Sequence, residues 1–379
     1  MPLGVGLVGC GNISDVYLTN ANLFRDIRVV AVSDIKVEVA KAKGAKYGLP
    51  VVRPRELLKR DDIDIVLNLT IPVAHADVSL AAIDAGKHVY TEKPLAISLK
   101  DGQAIIRAAE RKGMKIGASP DTVLGAAVQS ARRMVDGSEI GDIITGTAVV
   151  LSHGMENWHP NPGFFFKPGG GPVLDMGPYY LSALVNLLGP IASTVATGKM
   201  GFQHRTVTSE GLMKGKRIKV ETLTTVNALL SFVSGAEIVL LMSWDVWRHG
   251  VPPIELHGTK ASLRLPDANY FGGFLEISEA GKEWRKIDTS SDVYGRPNWP
   301  PRDKRVANYR GLGLAEMAAA IAKGREPRAS GALALHVLDA MASILASART
   351  GRRVKVAAPA HRPRIFTEEE AAALLKPQL

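Results

Sequence analysis

The first 120 residues alternate apolar strand-like runs with helix-like segments, and the first strand runs directly into the turn LVGCGNIS at residues 7 to 14. Few folds accept that rhythm. Strands separated by crossover helices pair in parallel, and right-handed crossovers wind helices onto both faces of one sheet. The predicted strands are Leu3 to Val8, Ile27 to Ser33, Asp64 to Thr70, Lys87 to Thr91 and Met114 to Ala118. Val37 to Tyr47, Val73 to Ala85 and Leu99 to Lys112 have the length and composition of crossover helices, and Gly86 and Gly113 fall where helices stop. In a doubly wound sheet a ligand sits at the carboxyl ends of the strands.

The turn carries the chemistry of a phosphate site. Gly9 and Gly11 fill the first two positions of the G-x-G-x-x-G dinucleotide fingerprint, with Ser14 in place of the third glycine. The first glycine permits the tight turn and the second lets the backbone approach a pyrophosphate. Asn12 and Ile13 then open a helix whose N–H groups are unpaired. The third position serves close packing of helix on strand, which a small serine also allows. Asp34, 23 residues beyond Gly11, ends the second strand, where a carboxylate accepts hydrogen bonds from an adenosine ribose. Its charge repels a 2′-phosphate, so NAD is expected over NADP, with Lys36 softening the preference.

At 379 residues the chain exceeds one ordinary core, which rarely grows past about 250 to 300 residues, so two domains are expected. The rhythm changes at about residue 122. A helix from about Thr122 to Val135 precedes β-rich runs at Ile143 to Ser152, Thr222 to Val233, Ala236 to Val246 and Ile254 to Leu265. Turn signals at Ser234-Gly235, Gly258-Thr259 and Ala280-Gly281 mark antiparallel hairpins. Helices near Tyr309 to Lys323 and Ala332 to Thr350 follow, stopped by Gly324 and Gly351. Asp288 to Asn308 is polar and rich in Pro and Arg, the composition of a surface loop. Thr367 before three glutamates is a helix-cap signal. The expected division is 1–121 for the nucleotide, 122–355 for the substrate and oligomer contacts, and 356–379 as a tail.

A formal net charge of +10 raises the question of a polyanionic partner. The basic clusters Arg132-Arg133, Lys214 to Lys219, Arg302 to Arg305 and Arg352-Arg353 are scattered and lack interleaved aromatic residues, so no nucleic-acid partner is expected. No apolar run approaching the roughly 20 residues of a membrane span stands out, and the N-terminus has no signal-peptide pattern; no membrane partner and a cytoplasmic location are expected. Cys10 is the only cysteine, so an intramolecular disulfide is impossible.

Two further stretches, AGKHVYTEKPLA at residues 85 to 96 and GGGPVLDMGPYYL at 169 to 181, join the N-terminal glycines in a recognisable order. Together they resemble the Gfo/Idh/MocA family of nicotinamide-dependent sugar and cyclitol dehydrogenases, from residue 4 to about 355. The resemblance implies an α/β fold: an N-terminal Rossmann domain with a doubly wound parallel sheet, then a C-terminal α/β domain with a large open, mostly antiparallel sheet. That sheet implies a homodimer or homotetramer. The family's catalytic lysine maps to Lys93, after Glu92, and its D-x-G-x-H motif maps to Asp175, Gly177 and position 179. Here that position is Tyr179, similar to the glucose–fructose oxidoreductase and dihydrodiol dehydrogenase branches, where the phenol is the proton-transfer group. Asn68, Thr70 and Pro72 fall where the family contacts the nicotinamide half of the cofactor. His75, at the start of the next helix, and Glu92 and Lys93 are further expected cofactor contacts, although for His75 a structural role outweighs a catalytic one.

Oxidising a secondary alcohol sends a hydride to the nicotinamide while a base takes the hydroxyl proton. Tyr179 is the candidate base, and a cationic Lys93 nearby would favour its phenolate. Lys93 can also hold the substrate oxygen. Asp175, four residues before Tyr179, would share its helix face, bind a substrate hydroxyl and orient Lys93. In SHGMENWHPNPGFFF, residues 152 to 166, Trp158 could stack on a pyranose while His153 and His159 bond its hydroxyls; Asp121 and Trp247 are weaker candidates. His153, Glu156 and His159 lack a metal-ligand spacing on a fixed helix, so no metal is expected. The expected substrate is a pyranose sugar or related polyol. A non-catalytic dinucleotide- and sugar-binding sensor, or a dehydrogenase of a non-carbohydrate diol, are the alternatives.

Overall fold

The computed structural model describes residues 1–300 and 306–377; the Arg302 to Arg305 cluster, the matching part of the 288–308 loop and the last two residues of the tail lie outside them. In the first third of the chain, β1 (Leu3–Val8), β2 (Ile27–Ser33), β3 (Ile65–Asn68), β4 (His88–Thr91) and β5 (Ile116–Ala118) form one sheet in the order β2-β1-β3-β4-β5. Every pairing is parallel. The connections carry α1 (Ser14–Ala21), α2 (Val37–Tyr47), α3 (Pro54–Leu57), α4 (His75–Asp84) and α5 (Leu99–Lys112). Val8 at the end of β1 pairs with both Ser33 of β2 and Asn68 of β3. The order reverses at this strand, so the loops after β1, β2 and β3 open on one edge, where such sheets bind ligands.

The remaining two thirds begin with a 3₁₀ turn at Asp121–Leu124 and then α6 (Ala126–Asp136), so the expected helix starts a few residues late. A nine-stranded sheet follows. Its members are β6 (Ile143–Leu151), β7 (Ile191–Lys199), β10 (Thr225–Phe232), β11 (Glu237–Ser243), β12 (Ile254–Gly258), β13 (Ala261–Leu265), β14 (Phe274–Glu279), β15 (Arg285–Asp288) and β16 (Val354–Lys355). Between β7 and β10, β8 (His204–Thr206) and β9 (Arg217–Lys219) make a separate two-stranded ribbon. The pairings are antiparallel except β6 with β11. All three turn signals join hairpins. Strand β7, IASTVATGK, has no counterpart in the sequence reading, because its small and polar residues give no apolar alternation.

Helices α7 (Pro172–Leu188) and α9 (Gly331–Thr350) cover one face of this sheet, on which β10 buries Val226, Ala228, Leu230 and Phe232. On the opposite face the cross-strand partners Leu229 and Val239 are exposed. Helix α9 corrects one expectation. It is 20 residues long, and its best window has a mean hydropathy of 1.5, enough for a membrane span by length and composition. It packs on β7 and α7 with 61% of that window buried, the setting of a core helix.

Late segments return to the first sheet. In α8 (Leu312–Ala322), Leu314, Ala315 and Met317 share a core with Val5, Leu7, Ile65 and Tyr90. Phe366 and Leu374 join it, and α10 (Glu368–Ala372) starts at a Thr367–Glu370 capping box. The Arg25 N–H donates to Leu374 O at 3.0 Å and the Lys376 N–H to Leu23 O at 2.8 Å. Arg328 donates to the carbonyls of Arg364 and Ile365 and pairs with Glu370.

Candidate active site

The glycine turn lies at the carboxyl end of β1. Gly9 has φ +100°, and a Cβ there would fall 2.5 Å from the Leu69 carbonyl; at Gly11 a Cβ would meet nothing within 4 Å. One glycine is demanded by packing, and the other leaves its backbone open to a ligand. Ser14 is fully buried and its hydroxyl donates to Gly11 O at 2.6 Å, so the third position braces the turn. Asn12 and Ile13 are exposed, and Ile13 puts no side-chain cap on α1. The Ser14 and Asp15 N–H groups donate to Gly11 O and Asn12 O at 3.1 and 3.4 Å, so among the described residues the N–H groups open to an anion are those of Gly11, Asn12 and Ile13 in the turn itself. The Cys10 and Lys36 N–H groups each donate to one oxygen of Asp34, at 2.8 Å. Each of those oxygens keeps a further lone pair. Ile35 and Ile71, absent from the sequence reading, are exposed apolar side chains on the loops flanking the turn.

After β3 the outcome is mixed. Asn68 is fully buried; its amide donates to His75 O at 3.0 Å and Ser79 Oγ at 3.2 Å, and it accepts from Thr70 Oγ1 at 2.6 Å. The buried His75 ring spans Pro94 O at 2.7 Å and Thr70 O at 3.0 Å. These two residues brace the loop and do not face the cleft, a correction to their expected contact with a cofactor. Pro72 is exposed and Thr70 half-buried.

At the end of β4 the signature residues converge. Glu92 accepts from the Tyr17 hydroxyl of α1 at 2.7 Å and from the Lys93 N–H at 2.9 Å. Lys93 Nζ crosses to the first turn of α7, donating to Asp175 Oδ1 and Asp175 O at 2.8 Å each. It also lies 5.2 Å from the centroid of the Tyr179 ring. Burial disfavours the Lys93 charge, but Asp175, Tyr179 and Glu92 outweigh it and hold the ammonium above its ordinary range. Gly177 fits here because a Cβ would come within 3.1 Å of Met341 of α9.

Arg310 completes the cluster, and no motif announced it. Its Nη2 donates to the Tyr179 hydroxyl at 3.4 Å and to Asn269 Oδ1 at 2.6 Å, while Nη1 donates to Asn308 Oδ1 at 2.8 Å. Burial opposes the guanidinium charge, yet Tyr179, Glu92 and Asp121 raise its proton affinity overall.

The remaining candidates stand apart. Asp121 is a correction: its Oδ2 accepts from the Gly311 and Gly313 N–H groups at 2.9 and 3.0 Å, capping α8 where no substrate reaches. Burial, with Glu92 adding to it, overcomes those bonds and the Arg310 charge and pushes the carboxyl up to about 6. His153 stacks on Trp247 with ring centroids 3.3 Å apart. Burial first, then Arg205, lowers its proton affinity. The buried Arg205 takes Glu156 at 2.7 Å and Asp245 at 2.5 Å. Trp158 is 62% exposed and His159 packs edge-on against it. None of these hydrogen-bonds to Lys93, Asp175 or Tyr179 among the described residues. Cavity size does not locate the site either: a groove of about 720 Å³ between α5 and the first turn of α9 contains none of the signature residues.

Residues 3–119 match the family model described as an oxidoreductase family with an NAD-binding Rossmann fold, and residues 128–264 match that of the GFO/IDH/MocA C-terminal domain. The chain belongs to the Gfo/Idh/MocA family. Residues 3–119 are accordingly an NAD-binding domain. Among curated Gfo/Idh/MocA relatives, inositol 2-dehydrogenase of Salmonella typhimurium is 36% identical over 120 residues, 31% of this chain and 36% of that protein. The chain therefore spans about a third of that relative. The 1,5-anhydro-D-fructose reductase of Ensifer adhaerens is 28% identical over 267 residues, 68% of this chain and 74% of the relative. Levoglucosan dehydrogenase in complex with NADH and levoglucosan superposes with a TM-score of 0.78 at 21% identity, covering 94% of this chain and all of that one, and shares the fold.

Proposed function

We propose that this protein is an NAD(H)-dependent dehydrogenase or reductase acting on a CH–OH or C=O group of a pyranose sugar or related polyol. The observation that carries the reading is the Lys93–Asp175–Tyr179 cluster, which joins the carboxyl edge of the parallel sheet to α7. A dinucleotide fits the open backbone at Gly11, the uncapped start of α1 and the lone pairs of Asp34. Gly9, Gly11, Asn12 and Ile13 would hold its pyrophosphate and Asp34 its adenosine ribose, with Ile35 and Ile71 beside the base. Thr70, Pro72, Glu92 and Lys93 would border the nicotinamide half. When bound, that cofactor supplies the acceptor or donor of a hydride.

The protein's own part is to orient and to move a proton. Lys93 holds the substrate oxygen, fixed by two bonds to Asp175. Tyr179 takes the hydroxyl proton in oxidation and returns it in reduction. Asp175 keeps a second carboxylate oxygen for a neighbouring hydroxyl. Residues 1–121 serve the nucleotide and 122–355 the substrate, with His153, Trp158 and His159 as outer contacts for a sugar. The exposed Leu229 and Val239 suit the open sheet face to a homodimer or homotetramer.

The names of the relatives support a cyclic polyol: inositol, an anhydrohexose and levoglucosan. A non-catalytic sensor would have no use for Lys93 and Tyr179 in this arrangement. The test incubates purified protein and NAD with sugars, sugar acids and cyclitols while following absorbance of the reduced cofactor. Turnover of at least one, lost in Tyr179→Phe and Lys93→Met, is expected; a silent panel, or two fully active variants, overturns the reading.

A further inference from the structure

We propose that Arg310 is a positioning residue for Tyr179, turning the phenol proton toward the substrate oxygen. The inference rests on the reading of Tyr179 as the proton-transfer group and adds a residue that no motif supplies.

The argument is one of donors and acceptors. A phenol oxygen can accept a hydrogen bond and donate its own proton. Arg310 Nη2, at 3.4 Å, is the hydrogen-bond partner of the Tyr179 hydroxyl among the described residues, and a guanidinium only donates. The other polar group close to the ring, Lys93 Nζ, also only donates and spends two of its protons on Asp175. Accepting from Arg310 fills one side of the oxygen, and neither cation can receive the phenol proton. The acceptor left for that proton is a substrate carbonyl held beside Lys93. In the oxidative direction Tyr179 acts as the phenolate, and the same geometry aims one of its lone pairs at the substrate hydroxyl.

Arg310 is itself tightly placed. Asn269 and Asn308 accept from its two terminal nitrogens at 2.6 and 2.8 Å. The Gly311 N–H that follows it is held by Asp121 at 2.9 Å. A side chain so fixed sets a direction, which a solvated arginine would not.

The proton bookkeeping closes without Arg310 exchanging a proton. In oxidation Tyr179 starts as the phenolate: the substrate O–H breaks, its proton bonds to the phenolate oxygen to give the neutral phenol, and the carbon's hydride leaves to the oxidised nicotinamide. Arg310 donates the same hydrogen bond before and after.

The test compares wild type, Arg310→Met, Arg310→Lys, Tyr179→Phe and the Arg310→Met/Tyr179→Phe double variant. Fluorescence binding of NADH shows that each is folded. Arg310→Met should lower kcat by about 10- to 100-fold, the effect of a misplaced proton-transfer group, with substrate KM within about threefold. The solvent deuterium isotope effect on kcat should rise, and Arg310→Lys should recover part of the loss. In the Tyr179→Phe background Arg310→Met should add no further loss, because both act through one atom. Independently of turnover, the Tyr179 ring resonances in cofactor-free protein, assigned by their absence from Tyr179→Phe, should shift in Arg310→Met. Additive losses, an unchanged isotope effect or unmoved resonances overturn the proposal. If Tyr179→Phe is fully active, the proton-transfer reading of Tyr179 fails first. If Tyr179→Phe is inactive and Arg310→Met behaves as wild type, the Arg310 proposal fails alone.

Discussion

Asn20 Nδ2 donates to the backbone carbonyls of both Asn308 and Arg310, at 2.9 and 3.0 Å, across 288 and 290 residues of chain. The helix behind the glycine turn thereby holds the loop that carries the guanidinium beside Tyr179. Asn20→Ala leaves the buried Arg310 carbonyl without its donor, at a cost of roughly 1–3 kcal/mol before relaxation, while the Asn308 carbonyl keeps the Asn298 amide at 3.2 Å. A lowered Tm together with a reduced kcat is expected from calorimetry and steady-state kinetics; a fall in Tm alone would detach the loop from catalysis.

The Lys93–Asp175 pair is mostly buried, with side chains 17% and 22% exposed. Removing one partner of such a pair strands the other charge, which typically costs about 3–5 kcal/mol. Asp175→Ala should therefore destabilise more than the paired change Lys93→Met/Asp175→Leu. Chemical unfolding of both variants checks the order, and equal losses would mean that the pair is solvated.

Gly9 and Gly11 separate folding from binding. Gly9→Ala forces a side chain onto a positive φ and against the Leu69 backbone, so loss of soluble protein or a large drop in Tm is expected. Gly11→Ala has room for its methyl group and should fold, yet the methyl occupies the approach of a pyrophosphate. Calorimetric titration with NADH should show affinity weakened by an order of magnitude or more. Tight NADH binding by Gly11→Ala would move the phosphate site elsewhere.

Asp121 gives a pH signature. Its carboxyl rises from an ordinary 3.8 to about 6, chiefly through burial. Between those values the folded protein holds a proton that the unfolded chain has released. The associated stability is fully present below pH 3.8 and is lost as pH rises through 6, on the order of 3 kcal/mol in all. Asp121→Asn cannot titrate, so the Tm of wild type relative to this variant should fall between pH 4 and 7. A constant difference would show that the carboxyl is not buried as described.

The first sheet was legible almost residue for residue. Leu3–Val8, Ile27–Ser33, Val37–Tyr47 and Leu99–Lys112 stand where apolar runs and glycine stops put them. Local periodicity encodes such elements, and the Lys93 and Asp175 motifs survive as short strings. Strand β7 escaped because its stability comes from pairing with β10 along its length, not from its own alternation. Asp121 was misread as a substrate carboxylate because its partners lie 190 and 192 residues away. Arg310 escaped for the same reason, since its meaning depends on Tyr179, 131 residues earlier. Buried long-range polar contacts leave no periodic trace in a sequence.

The return of α8, Phe366 and Leu374 to the first sheet has a consequence for biosynthesis. A ribosome delivers residues 3–119 long before residues 312–375, so Val5, Leu7 and Tyr90 wait with one side uncovered while more than half of the chain is still being made. Translation takes seconds per hundred residues at about 5–20 residues per second, ample time for an uncovered apolar face to recruit a chaperone or a neighbouring nascent chain. The nucleotide-binding domain emerges before the segments that close it and is among the last parts to be covered.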